Sequence, residues 1–129
     1  MGGGGDCSCV TVHELVMVGT PTGGTIILNV GVDDGTGGGV TTESVTLNFD
    51  SSAASAQTAF EGHSKIAASG ADIKVKGGPF PAGALYIVYK SSGDLNRDQP
   101  IPTTGTNSLT GGTSPHLEYR YVTNQDWEA

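Results

Sequence analysis

The sequence predicts an α+β domain that is mainly β, with about six strands in a small sheet or sandwich and one helix at about residues 52–66. Three observations carry this. Short segments repeatedly alternate apolar and polar residues with a period of two, and clusters of Gly, Pro, Asn and Asp separate them. A single segment, beginning at Ser51, shifts to three- and four-residue spacing. The 129 residues include 21 Gly and 6 Pro but only 36% apolar residues. A domain of this size buries roughly two-thirds of its unfolded surface, so its core must be thin, strand-built and single.

Along the chain, Met1 to Cys9 read as a flexible Gly-rich arm, residues 10–123 as a single β-rich domain and residues 124–129 as an acidic tail. Val10–Val18 is the first strand and stops at the turn-forming Gly19-Thr20-Pro21-Thr22-Gly23-Gly24. Thr25–Val32 follows, then a reversal at Asp33–Gly39, where several residues tolerate positive φ. Glu43–Phe49 alternates cleanly, with Val45, Leu47 and Phe49 on one face. Ser51 or Ser52 caps the helix, whose inward residues are mostly Ala, with Phe60 as the one large anchor; Gly62 weakens its last turn. Asp72–Lys76 turns Ile73 and Val75 inward and ends at Gly77-Gly78-Pro79-Phe80-Pro81, where two prolines force an edge or a turn. Ala84–Lys90 is apolar on both faces and should be central. Ser91–Pro115 reads as a long polar loop and interaction surface, and His116–Thr123 as the last strand.

Charge narrows the function. With 13 acidic against 6 basic residues the net charge is −7, so a phosphate lattice would repel the chain, and nucleic acid is not an expected partner. No apolar run approaches the ~18 residues needed to cross a bilayer, and no membrane partner is expected. The N-terminus lacks a basic stretch followed by an apolar one, so either synthesis in the cytoplasm or a signal trimmed and replaced is expected.

No local constellation supplies catalysis or a cofactor. His13, His63 and His116 fall on three separate elements, with His63 expected to be the most packed of them. Asp33, Asp34 and Asp50 lack the regular donor interval of a calcium loop. Gly37-Gly38-Gly39 has no following Lys-Ser/Thr pair for phosphate, and no Gly-x-Ser-x-Gly elbow occurs. Cys7 and Cys9 read as two thiols at a strand entrance, with an intermolecular disulfide or a metal shared across an oligomer as alternatives. Tyr86, Tyr89, Tyr119, Tyr121 and Trp127 could stack on a sugar, although sheet packing and subunit contacts need the same alternation.

Four segments in order, Ser52–Glu61, Ile73–Pro79, Gln99–Pro102 and Leu109–Pro115, carry a resemblance. Together they resemble a glycine- and threonine-rich β module of tailed-bacteriophage structural proteins, which also occurs as tandem repeats in large bacterial surface proteins. The resemblance spans about Gly19 to Val122. It implies a non-enzymatic virion protein, most plausibly a capsid decoration or cement protein and otherwise a head–tail or tail accessory protein. Other virion proteins would be its partners, and a homo-oligomer is expected. The alternative is a surface recognition module for carbohydrate or protein. On this reading the partner contacts are Cys7, Cys9, Val10 and Val12 in the arm and first strand, Leu95, Arg97 and Ile101 in the loop, and Tyr119, Tyr121 and Trp127 near the C-terminus.

One energetic expectation follows from the thin core. Replacing Phe60 with Ala should cost roughly 3–5 kcal/mol, a large share of the stability of a small domain, measurable as a shift in the urea unfolding midpoint.

Overall fold

The computed structural model describes residues 12–32, 40–63, 73–89 and 99–122. Within them lie seven strands and one helix: β1 (Val12–Val18), β2 (Gly23–Val32), β3 (Thr41–Asn48), α1 (Ala53–Glu61), β4 (Ile73–Gly77), β5 (Leu85–Tyr89), β6 (Thr103–Thr110) and β7 (His116–Val122). They form two antiparallel sheets, one ordered β4-β5-β1-β7 and the other β3-β2-β6. Leu15, Met17, Ile87 and Leu117 from the first sheet and Ile26, Leu28, Val45 and Leu47 from the second share one apolar cluster. The fold is therefore mainly β, as the alternation predicts, and takes the sandwich form with a helix at one side.

The strand missing from the sequence reading is β6, which lies inside the expected Ser91–Pro115 loop. Thr103-Thr104-Gly105-Thr106-Asn107-Ser108-Leu109-Thr110 holds a single large apolar residue, so it shows no alternation. It is strand-like because threonine is β-branched, and it is placed by seven Cα pairings with β2 rather than by burial. The register shifts at Ile27/Leu28, where Gly105 is the unpaired residue. β5 lies inside its sheet between β4 and β1, and four of its five residues are buried, in keeping with an apolar run on both faces.

The chain changes sheet twice at one end of the sandwich. The β1–β2 arch and the β6–β7 arch lie against each other, with Thr113 N–H donating to Gly19 C=O at 2.8 Å and Thr22 N–H to Thr110 C=O at 2.9 Å. Gly112, at φ +64°, presses its Cα side onto the carbonyls of Gly19 and Thr20, where a Cβ has no space. This accounts for the Leu-Thr-Gly-Gly-Thr-Ser-Pro segment in physical terms.

Each long side of the sandwich is closed differently. On one side α1 spans from β3 to β4. Ser52 caps it by accepting from Ser55 N–H, Ser55 Oγ returns the bond to Ser52 N–H, and Gly62 ends it. The helix is therefore shorter than the expected 52–66, with residues 64–66 outside the described range. Ala56 and Phe60 face the core. Gln57 does more than fill space: its Nε2 donates to Ile73 C=O at 3.1 Å, while its Oε1 accepts from Val75 N–H at 2.8 Å. A side chain thus takes the place of a neighbouring strand along the outer edge of β4. On the other side, Thr104 Oγ1 and Tyr119 Oη share a 2.6 Å hydrogen bond, and Asn107 Nδ2 donates to Pro115 C=O at 2.8 Å.

Replacing Gln57 with Leu keeps the volume but leaves two partly buried backbone groups unmet. The expected cost is about 1–3 kcal/mol, read from urea unfolding, together with faster amide exchange at Val75.

Candidate interaction surface

The ends of the sandwich differ. At one end the turns are short and tied by backbone bonds. At the other, β1, β3, β4 and β6 begin and β2, β5 and β7 end. Among the described residues, the three large apolar ones most exposed to solvent, Val40 at 54%, Ile101 at 44% and Tyr121 at 47%, sit at this end. Val40 and Pro100 both lie over Gly31, near the last residues of β2.

Behind them is an unusual polar cluster. The β1 register turns His13 to the core face with Leu15 and Met17, and the imidazole is fully buried. Its ring meets Tyr89 edge-on at 5.3 Å and Tyr121 at 6.4 Å. Among the described residues neither ring nitrogen nor the Tyr89 hydroxyl has a hydrogen-bond partner of good geometry. Burial lowers the His13 pKa to about 4, and the nearby Gln99 backbone offsets this only in part. Burial likewise pushes the Tyr89 phenol well above its ordinary value. The three histidines do not converge. His63 lies 3.9 Å from Glu43, and His116 lies 3.3 Å from Glu118. His116 pairs with Val18, five residues along β1 from His13, a span of roughly 16 Å. It is raised above its ordinary pKa by the Ser114 carbonyl and then by Glu118. The expectation that His63 is the most packed is reversed: its side chain is 30% exposed whereas His13 is buried, because a strand residue turned into a two-sheet core is covered from both sides. Among the described residues no group of three or more His, Cys, Asp or Glu is placed to hold a metal, and no helix is long and apolar enough to cross a membrane.

Of the expected contact residues, Ile101 and Tyr121 are exposed at this end. Tyr119 is half-buried and engaged with Thr104, so it closes the side of the sandwich. Val12 is fully buried in a small second cluster with Val88, on the sheet face turned away from the core, and presents no side chain to a partner. Cys7, Cys9, Val10, Leu95, Arg97 and Trp127 lie outside the described residues, as does the Asp33–Gly39 reversal. The tyrosines do not form one platform. Tyr89 is inside the core, whereas Tyr86 is on the outward face, donating to Glu14 at 3.0 Å, and that bond is the main reason its pKa is raised.

Charge is partitioned between the two sheets. The outward face of the four-stranded sheet carries Lys74, Lys76, Glu14, Glu118 and Arg120, with Arg120 Nε 3.6 Å from Glu14. The outward face of the three-stranded sheet carries none. Its cross-strand rows read Asn48-Thr25-Ser108, Thr46-Ile27-Thr106 and Ser44-Asn29-Thr103, followed by Thr42-Gly31. Every side chain there is a hydroxyl, an amide or Ile27. Composition alone does not reveal this surface, because its residues are spread over three strands and one of those strands lacks alternation.

The buried imidazole makes stability depend on acid. The folded pKa of about 4 lies below the ordinary 6.5, so the contribution is intact above pH 6.5 and lost as pH falls from there toward 4. The full loss is about 3 kcal/mol. His13→Phe should flatten this difference between pH 6.5 and 4 in thermal melts while leaving the neutral-pH fold intact. Comparison with family models, curated proteins and solved structures finds no match to this chain.

Proposed function

We propose that the chain is a non-enzymatic structural protein of a tailed-phage virion that works by lying against other protein subunits, as a capsid decoration protein or as a head–tail or tail accessory protein. The observation that carries this reading is the uncharged outward face of β3-β2-β6 in a chain of net charge −7. Bringing two proteins together costs most where charges must be stripped of water without a partner, and interface centres are depleted in charge for this reason. A face of Thr, Ser and Asn can hydrogen-bond to a neighbouring backbone or through water at little desolvation cost. The exposed Ile101 and Tyr121 add apolar anchors at the adjoining end. The resemblance of the Ser52–Glu61, Ile73–Pro79, Gln99–Pro102 and Leu109–Pro115 segments to a virion module supports the same reading.

A hydroxyl-rich face also suits carbohydrate, and that second reading has its own readout. The test uses tailed particles assembled from a genome lacking this reading frame, mixed with the purified chain and sedimented. The expected result is attachment at a fixed copy number, abolished by Thr46→Glu without change in melting temperature. Absence of the chain from purified wild-type particles overturns the proposal. Glycan-array binding lost on Thr46→Glu would favour the carbohydrate reading instead.

A further inference from the structure

We propose that the outer edge of β6 is a self-pairing edge, joining two copies of this chain antiparallel about a two-fold axis into one continuous six-stranded sheet. Four strands stand at sheet edges: β3, β4, β6 and β7. Three of them are blunted. β4 carries Lys74 and Lys76 and is covered by Gln57; β7 carries Glu118 and Arg120; β3 carries Glu43. Charges on edges, and side chains laid over them, are the usual protection against strand addition.

Among the described residues, β6 has neither charges nor a side chain laid over its edge, and its one irregularity is the Gly105 bulge. It runs for eight residues without a charge or a proline, and seven of the eight are exposed. Its backbone pairs with β2 along one side, and beyond the Thr22 bond to Thr110 it has no other backbone partner among the described residues. One donor is already met, since Leu109 N–H is held at 3.0 Å by Asn107 Oδ1. The stretch left for pairing is therefore Thr103–Asn107.

The occupant follows from charge. An antiparallel two-fold sets residue i of one copy against residue j of the other and j against i, so on β4, whose only charges are Lys74 and Lys76, like charges meet across the seam. β6 alone opposes neutral Thr and Asn to Thr and Asn, and cross-strand Thr pairs are favourable. In an acidic chain, this neutral strand and the uncharged face that continues from it bring no like charges together between two copies. The proposal rests on reading that sheet as the docking surface, and it adds the copy-to-copy contact within it.

The experiment is sedimentation equilibrium of the full chain from low micromolar to near-millimolar concentration, paired with amide hydrogen exchange at both limits. The expected result is a reversible dimer whose formation slows exchange at Thr103–Asn107, with Thr106→Lys shifting the population to monomer and Thr106→Val retaining the dimer. Thermal melts confirm that both variants fold. A chain that stays monomeric throughout overturns the proposal. So does a dimer that persists in Thr106→Lys with protection elsewhere. Particle attachment by a monomeric chain would remove this inference alone, whereas a β6-paired dimer absent from particles would remove the virion reading alone.

Discussion

Two backbone hydrogen bonds, from Thr113 to Gly19 and from Thr22 to Thr110, lock together the arches by which the chain twice changes sheet. Without them the two sheets are a four-stranded and a three-stranded layer, each with an apolar face and little to fix their spacing. With them, the β1–β2 and β6–β7 crossings become one unit, and the inward residues of both sheets meet as a single cluster. Gly112 is needed because the arches touch main chain to main chain. A thin core depends heavily on such positioning, since dispersion and burial reward close contact and fall away quickly when layers separate.

Polar groups complete the enclosure on both long sides. Gln57 serves the β4 edge as a strand would, and the Thr104–Tyr119 and Asn107–Pro115 bonds tie β6 to the β7 side. These bonds satisfy groups that a larger protein would cover with further strands. The far end is less well satisfied: His13 and Tyr89 are buried there with three polar atoms unmet. An interior of that kind trades stability for responsiveness to acid, because burial penalises the charged imidazole more than the Gln99 backbone favours it.

Much of the fold was legible from period alone. β2, β3, β4, β5 and β7 each carry apolar residues where their buried faces lie, and the single change to helical spacing locates α1 with Phe60 inward. β6 was illegible for a physical reason. An edge strand wet on both faces has no reason to alternate, and its Thr, Asn, Ser and Gly composition is shared with loops. The uncharged face is hidden for the same reason, because it forms only where β6 lies beside β2. His13 was misjudged because a lone histidine in Val-Thr-Val-His-Glu-Leu gives no sign of which neighbours will cover it. Ile101 and Tyr121 are both exposed.

The pairing of Val12 with Val122 places the first and last described residues on adjacent strands. The polypeptide therefore enters and leaves the sandwich through one doorway, a few ångströms wide. Such a unit can be spliced into a surface loop of a host protein with little strain on either side, since the host chain is scarcely parted. Copies joined in series would hang side by side from their linkers, like pendants on a cord, with their arched ends pointing outward. Reconnecting the two termini and cutting at the opposite arches would, conversely, sever the contact that holds the sheets together.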